Sequence, residues 1–212
     1  MRQRSLNYLM MVIVSVVFIG CSSIMEPTPS GFLGDYSTMQ PSKIIKGMSI
    51  DRASSEKLGD YSKFIIDPVE IYLHKDAKAE DIDPKVLQEM ADYFRNEVIA
   101  KLQEHYTVVE EAGVGVLRIR AAITDVLPNK VALNIHWSTT MAGLGLGGAA
   151  MEAEFVDSQT NERILAVIDS RKGRRTHYKK GLSKWGHTKD VIEEWVQMLT
   201  KRLDELHDIK QE

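Results

Sequence analysis

One residue of the chain has both the type and the position for covalent modification: Cys21, the single cysteine among 212 residues. Residues 18–21 (Phe-Ile-Gly-Cys) are similar to a lipobox, in which a small residue such as Gly20 precedes a cysteine whose thiol receives a diacylglyceryl group. Two arginines near the start and the apolar run 9–19 are typical of a signal peptide. That run has 11 residues, whereas a membrane-spanning helix needs about 20. We predict cleavage between Gly20 and Cys21 and acylation of Cys21; the alternatives are cleavage without lipidation and an uncleaved anchor.

The predicted lipidation determines the expected location and membrane partner. Ser22 follows the cysteine, at the position where Asp is the usual inner-membrane retention signal of Gram-negative lipoproteins. We therefore expect the protein on the periplasmic face of the outer membrane, held by acyl chains on Cys21. Removing the two arginines of residues 1–20 leaves 25 basic against 30 acidic residues. This acidic balance gives no overall attraction to nucleic acid.

A cluster of cations near the C-terminal third offers a second kind of chemistry, the binding of anions. Its members are Arg171, Lys172, Arg174, Arg175, Lys179 and Lys180. Behind a signal peptide, the available polyanions are phospholipid head groups and lipopolysaccharide phosphates. We interpret this basic loop either as a solvated loop or as a contact with anionic lipid or with an acidic partner.

The segment 131–151 contains no Asp, Glu, Lys or Arg. It is interpreted as a loop packed against the domain or as a surface for a partner or for self-association, with Met141, Leu144 and Leu146 as candidate contacts. Residues 143–148 also match G-x-G-x-x-G. The dinucleotide fingerprint requires a helix after the glycines, and here a strand is predicted, so we expect no nucleotide site.

Other catalytic or metal motifs are missing from the sequence. There is no G-x-S-x-G, and the six histidines form no H-x-x-x-H or H-E-x-x-H pair. We therefore expect no metal, no cofactor and no enzymatic activity. One enzymatic alternative stays open, in which carboxylates near strand ends converge as the active site of a periplasmic hydrolase. They are Asp67, Asp125, Asp157 and Asp169.

Hydrophobic periodicity predicts the elements that must position these residues. Strands are expected at 64–73 (with a bulge at 67–68), 106–109, 117–123, 151–155 and 164–168, and helices from Asp83-Pro84 to 102 and from Thr188 to 206. The predicted fold class is α+β, a mostly antiparallel sheet of about five strands with two amphipathic helices on one face. We also expect Arg118 and Arg120 to lie opposite Glu152 and Glu154.

The domain organisation follows from these elements. We predict a signal peptide (1–20), an acylated tether (21–30), an N-terminal extension (31–63), one α+β domain (64–207) and a short tail (208–212). The extension contains Leu-Gly-Asp-Tyr-Ser twice, at 33–37 and 58–62. We interpret each copy as a turn that pins an aromatic ring against the domain.

Five stretches together resemble a known family. They are GFLGDYS at 31–37, IDPVE at 66–70, LRIRAAITD at 117–125, AMEAEFVDSQT at 150–160 and DSRKG at 169–173. The chain resembles the proteobacterial lipoprotein family catalogued as domain of unknown function 3313, and Glu-x-Glu-x-x-Asp-x-x-Thr is the most specific part of the match. The resemblance implies an envelope lipoprotein and no established activity. Three hypotheses follow: a non-enzymatic accessory or adaptor in an envelope assembly, a lipid-handling auxiliary subunit, and the hydrolase.

Overall fold

The computed structural model describes residues 27–51, 55–134, 138, 145–174 and 176–208, and in them a mixed sheet of eight strands packs against two long helices. The strands are β1 (Gln40–Pro41), β2 (Met48–Asp51), β3 (Lys63–Ile66), β4 (Glu70–Ile71), β5 (Thr107–Val108), β6 (Val116–Leu127), β7 (Gly148–Asp157) and β8 (Arg163–Lys172). The helices are α1 (Pro84–Leu102), the short α2 (Val131–Asn134) and α3 (Gly186–Leu206), with 3-10 turns at Ser55–Asp60 and Tyr178–Leu182. Gly20 and Cys21 lie outside the described residues.

The α+β class is confirmed, but the expectation of a mostly antiparallel, five-stranded sheet is wrong. The strand order is β1-β2-β8-β7-β6-β3-β5, with β4 also paired to β6. β3 and β4 run parallel to β6, and β5 runs parallel to β3. The reason is that α1 follows β4 and carries the chain back along the sheet, so the next strands start from the same end. Sequence reasoning also missed β1 and β2, which join the sheet through antiparallel pairing of β2 with β8.

The first long helix is as the sequence predicts. Asp83 is the N-cap, and its carboxylate accepts a hydrogen bond from the Lys85 backbone N–H at 2.9 Å, while Pro84 occupies the first turn. All six predicted apolar positions are buried: Leu87, Met90, Ala91, Phe94, Val98 and Leu102. The three- and four-residue spacing of apolar side chains therefore identified the face that packs on the sheet.

The last helix begins two residues before the predicted cap. Its N-cap is Trp185, which makes no side-chain capping bond. The Thr188 hydroxyl instead donates to the carbonyl oxygens of Leu127 and Gly148, at 3.3 Å each. Thr188 therefore ties α3 to the ends of two strands, a tertiary role that local sequence patterns do not reveal.

The predicted strand at 64–73 is interrupted where its apolar alternation changes phase. β3 ends at Ile66 and β4 starts at Glu70, and both pair with β6. Of the expected charge pairs across β6 and β7, one is confirmed: Arg120 lies opposite Glu154, with Nη1 and Oε1 3.2 Å apart.

The other expected pair is wrong. Arg118 lies opposite Val156 and binds Asp67 at 3.2 Å instead, while Glu152 lies opposite Ala122. Every second residue of β7 faces away from the helices, so Glu152 and Glu154 lie on the same face of the sheet. The register of β6 and β7 places an arginine opposite Glu154 and an alanine opposite Glu152.

The two Leu-Gly-Asp-Tyr-Ser copies do pin aromatic rings, and both do so on β7. The Tyr36 hydroxyl donates to Glu152 Oε2 at 2.7 Å, and the Tyr61 hydroxyl donates to Asp157 Oδ2 at 3.1 Å. Burial and the neighbouring carboxylate raise the pKa of Tyr61 to about 12, so the phenol remains a donor at neutral pH. The first copy covers the sheet face opposite the helices, where Leu33 packs on Ile168.

Candidate functional site

The charge distribution of the sequence is strongly uneven along the chain. Residues 127–151 and 170–189 contain no Asp or Glu, yet they hold nine of the lysines and arginines of a chain that is acidic overall. The structure brings the described parts of these two stretches together where β6 ends and β7 begins. We call the described residues of the segments 129–134, 145–148 and 172–184 the basic end of the domain.

Asn129 joins the three segments of the basic end. Its buried side chain donates from Nδ2 to the carbonyl oxygens of Lys180 (3.0 Å) and Ser183, and its Oδ1 accepts from the Gly147 N–H at 2.9 Å. Its own N–H donates to the carbonyl of Lys184 at 2.8 Å. One amide side chain thus satisfies backbone groups from two distant parts of the chain, which fixes the shape of this surface.

The glycines before β7 serve backbone packing. A Cβ atom at Gly147 would overlap Asn129 and the Leu127 carbonyl, and one at Gly148 would overlap the Arg171 carbonyl. Gly148 opens a strand, as predicted, so the helix N-terminus that a dinucleotide site requires is absent after this motif in the described residues.

Replacing Gly148 by alanine is expected to lower the free energy of unfolding by about 2–3 kcal/mol, because backbone atoms of β8 must move to admit a methyl group. Gly59→Ala is the matched control: its Cβ would meet Leu206 at an ordinary 3.7 Å, so we expect a change below about 1 kcal/mol. Urea unfolding followed by tryptophan fluorescence measures both. Equal stability of the two variants would contradict the close approach of β7 and β8.

The exposed part of the basic end combines cations with apolar side chains. Leu133 on α2 and Leu182 on the neighbouring 3-10 turn are 40% and 47% exposed, and Lys130, Lys179 and Lys184 are exposed around them. Of the predicted partner surface, Leu146 is half-buried, while Met141 and Leu144 lie outside the described residues. An apolar centre with cations around it is suited to a partner that carries negative charge.

Several cations of the predicted basic loop are engaged within the molecule. Arg171 binds Asp169 through two hydrogen bonds (2.8 and 2.6 Å) and also approaches Glu194 at 3.4 Å. Arg174 pairs with Glu194 at 2.6 Å, and Lys180 pairs with Glu193 at 3.0 Å.

The carboxylates of α3 therefore offset part of the charge of this loop. Lys172 and Lys179 are exposed, and Arg175 lies outside the described residues. Contact of the loop with an anion stays a prediction.

The four aspartates near strand ends do not share a site. Asp67 binds Arg118, and Asp169 binds Arg171. Asp125 is buried and accepts backbone hydrogen bonds from Lys78, Ala79 and Val126. Asp157 caps the turn after β7, where the Thr160 backbone N–H is the main cause that lowers its pKa. Each carboxylate has a structural role, so this arrangement gives the hydrolase hypothesis no assembled carboxylate pair.

One cluster of metal-ligating side chains matches none of the sequence motifs for metal sites. His177, Asp190 and Glu194 offer ligand atoms that all lie within 4.8 Å of one another. The search for paired histidines overlooked it because two of the ligands are carboxylates one turn apart on α3. Among the described residues no helix has the length and apolar character needed to cross a membrane.

The fold and the basic end define a two-layer α+β domain whose N-terminal segment is fastened to the outer face of its sheet. The chain belongs to the family described as protein of unknown function (DUF3313), whose model matches residues 28–199. It is 24% identical to the "Uncharacterized lipoprotein YdcL" of Escherichia coli K12, with 82% of this chain and 86% of the relative covered.

Two solved structures have a low similarity to the chain. A PelC dodecamer from Paraburkholderia phytofirmans is 10% identical, with a TM-score of 0.40 and coverage of 77% of this chain and 99% of that chain. A Xanthomonas campestris protein of the family DUF330 is 11% identical, with a TM-score of 0.32 and coverage of 68% and 87%.

Proposed function

We propose that the protein is an outer-membrane lipoprotein, acylated on Cys21, whose periplasmic domain acts as a non-enzymatic accessory or adaptor in an envelope assembly. The basic end is the surface that contacts its partner. The observation that carries this proposal is the convergence of two acid-free stretches, distant in sequence, on one surface held in shape by Asn129. A lipoprotein relative that aligns with most of the chain supports the acyl anchor.

The position of the tether supports a domain held near the membrane. Ser30 donates its backbone N–H to Glu152, and the eight residues 22–29 between Cys21 and this contact can span at most about 30 Å. Glu152 lies four residues along β7 from Gly148, about 13 Å from the basic end. The basic end can therefore approach molecules in or next to the membrane that holds the anchor.

A surface of leucines and lysines also fits anionic lipid head groups, which is the second candidate function. The fixed backbone of the basic end and the internal pairing of Arg171, Arg174 and Lys180 favour a shaped, acidic protein partner. Self-association through the basic end is a third possibility, which the pull-down described next also tests.

The test is a cross-linked pull-down of the native lipoprotein from detergent-solubilised envelopes. We expect a stoichiometric protein partner that is lost with Cys21→Ser and with the triple variant Lys130→Glu, Lys179→Glu, Lys184→Glu. The matched control carries the same charge change at exposed lysines elsewhere, Lys75→Glu, Lys85→Glu, Lys201→Glu, and should retain the partner.

Three outcomes would contradict the proposal. Equal capture by both triple variants would show that the basic end does not contact the partner. Recovery of the protein alone would favour lipid binding, which is measured separately with liposomes that contain anionic phospholipid. Recovery only with further copies of itself would indicate a homo-oligomer.

A further inference from the structure

The 3-10 turn Tyr178–Leu182 and the first half of α3 enclose a group of side chains that the proposed function does not use. His177 Nδ1 lies 2.6 Å from Asp190 Oδ2, and the ligand atoms of His177, Asp190 and Glu194 all lie within 4.8 Å of one another. Asp190 is buried, whereas His177 and Glu194 are half-buried. The three side chains thus bring their ligand atoms together at a partly exposed position.

A fourth side chain adds an observation independent of that cluster. His187 is fully buried, and neither of its ring nitrogens makes a well-aligned hydrogen bond among the described residues, although the His177 backbone lies close to the ring. Buried polar atoms are rarely left in this state, and such cases point to a missing ligand or a functional role. A Cβ at Gly173 would overlap the ring, which shows how closely the basic loop covers it.

His187 borders this cluster. His187, Asp190 and Glu194 follow one another at three and four residues on α3, so they share one face of the helix. The buried imidazole therefore lies on the side of α3 that carries the two carboxylates of the cluster.

We propose that His177, Asp190 and Glu194 bind one divalent transition-metal ion, with Zn²⁺ as the best fit and His187 bordering the site. One imidazole nitrogen and two carboxylate oxygens are three ligands that Zn²⁺ accepts in four-coordinate geometry, with water in the fourth position. Ca²⁺ and Mg²⁺ prefer oxygen ligands throughout, so the imidazole selects against them.

The cations that now satisfy the carboxylates can make room for the metal. Arg174 at Glu194 and Lys180 at Asp190 are 57% and 39% exposed, so both side chains can turn into solvent. Two positive charges leave and one divalent ion enters, which keeps the charge of the site balanced. Arg171 remains on Asp169, where it is held by two hydrogen bonds.

Metal binding would tie the Tyr178–Leu182 turn to α3 and order one side of the basic end. This inference does not rest on the proposed function, because the partner could bind the basic end with or without a metal. Repeating the pull-down in the presence of a chelator separates the two claims.

The experiment titrates the chelator-treated, full-length lipoprotein in detergent with Co²⁺ and Zn²⁺. We expect one ion per chain by calorimetry and, for Co²⁺, the visible absorption of a tetrahedral complex. Glu194→Gln and His177→Gln, both at half-buried positions, should each weaken binding at least about tenfold. Asp190→Asn, at the buried ligand, serves as a third variant if its thermal unfolding shows a folded protein.

Glu205→Gln is the matched control, an exposed glutamate near the other end of α3 that should leave binding unchanged. Absence of saturable binding in the unaltered protein would overturn the proposal. Binding that is unchanged in both Glu194→Gln and His177→Gln would overturn it as well, because the ion would then lie elsewhere.

Discussion

Replacing Arg171 by methionine is expected to lower the free energy of unfolding by about 3–5 kcal/mol, because the change leaves a buried carboxylate without its counter-ion. Asp169 is fully buried between β8 and α3 and receives both of its charged hydrogen bonds from Arg171. Burial raises the pKa of Asp169 despite the nearby guanidinium, which shows how costly this charge is to bury. Methionine preserves most of the volume, so the loss measures the charge and not a cavity.

Three comparisons make this prediction specific. Adding Asp169→Asn to Arg171→Met should restore part of the stability, since the unpaired charge disappears. Lowering the pH should also restore part of the stability of Arg171→Met, because it protonates Asp169. The folded state holds the Asp169 proton more tightly than the unfolded state, so the cost is complete at neutral pH and is relieved as the pH falls through the folded-state pKa.

Arg174→Met is the control for Arg171→Met. It also removes a partner of Glu194, but Arg174 is 57% exposed, and we expect less than about 1 kcal/mol. Urea unfolding at pH 7 and at pH 5 measures the whole series. Equal losses for Arg171→Met and Arg174→Met would contradict the central role of the buried pair.

Replacing Glu152 by alanine is expected to release the N-terminal segment and to cost about 3 kcal/mol of unfolding free energy. The buried carboxylate of Glu152 accepts hydrogen bonds from the backbone N–H groups of Ser30 and Leu33 and from the Tyr36 hydroxyl. Hydrogen bonds to charged groups contribute more than neutral ones, and their loss leaves three donors without an acceptor. Arg163 still holds the segment through the carbonyl oxygens of Leu33 and Asp35, so release should be partial.

Limited proteolysis is the direct measurement for this change. Cleavage within residues 30–39 should accelerate in Glu152→Ala, while cleavage elsewhere should not. Tyr36→Phe, which removes a single donor, should have an intermediate effect of about 1 kcal/mol. Tyr61→Phe, which removes the corresponding hydrogen bond to Asp157 at the far end of β7, is the control for the proteolysis pattern. An unchanged proteolysis pattern in Glu152→Ala would show that Glu152 does not fasten the segment.

The long amphipathic elements of the fold could be predicted from the sequence, and the pairing between distant elements could not. α1 was predictable because its N-cap, its proline and its apolar face all lie within one stretch. β1 and β2 have two and four residues, so they show no periodicity, and only the edge of β8 gives them a partner. The parallel pairing of β3 with β6 depends on where α1 returns the chain, which is a tertiary property.

The candidate site also has some features that single stretches of sequence predict and others that depend on contacts between distant stretches. The Cys21 motif, the basic loop and the repeated tyrosines are local features that the sequence displays. The joining of the two acid-free stretches depends on the hydrogen bonds of Asn129 with Lys180 and Gly147, which lie 51 and 18 residues away. The internal pairing of the loop depends on the acidic face of α3, whose orientation is fixed only by packing.

The central claim is that the basic end contacts a partner in the envelope, and site-specific photocross-linking in living cells tests it most directly. A photoreactive residue is placed at Leu182, in the basic end, or at Val114, which is 85% exposed beside the opposite end of β6. We expect one discrete protein adduct from Leu182, dependent on Cys21, and none from Val114. Adducts of equal yield from both positions, or none from Leu182, would contradict the claim.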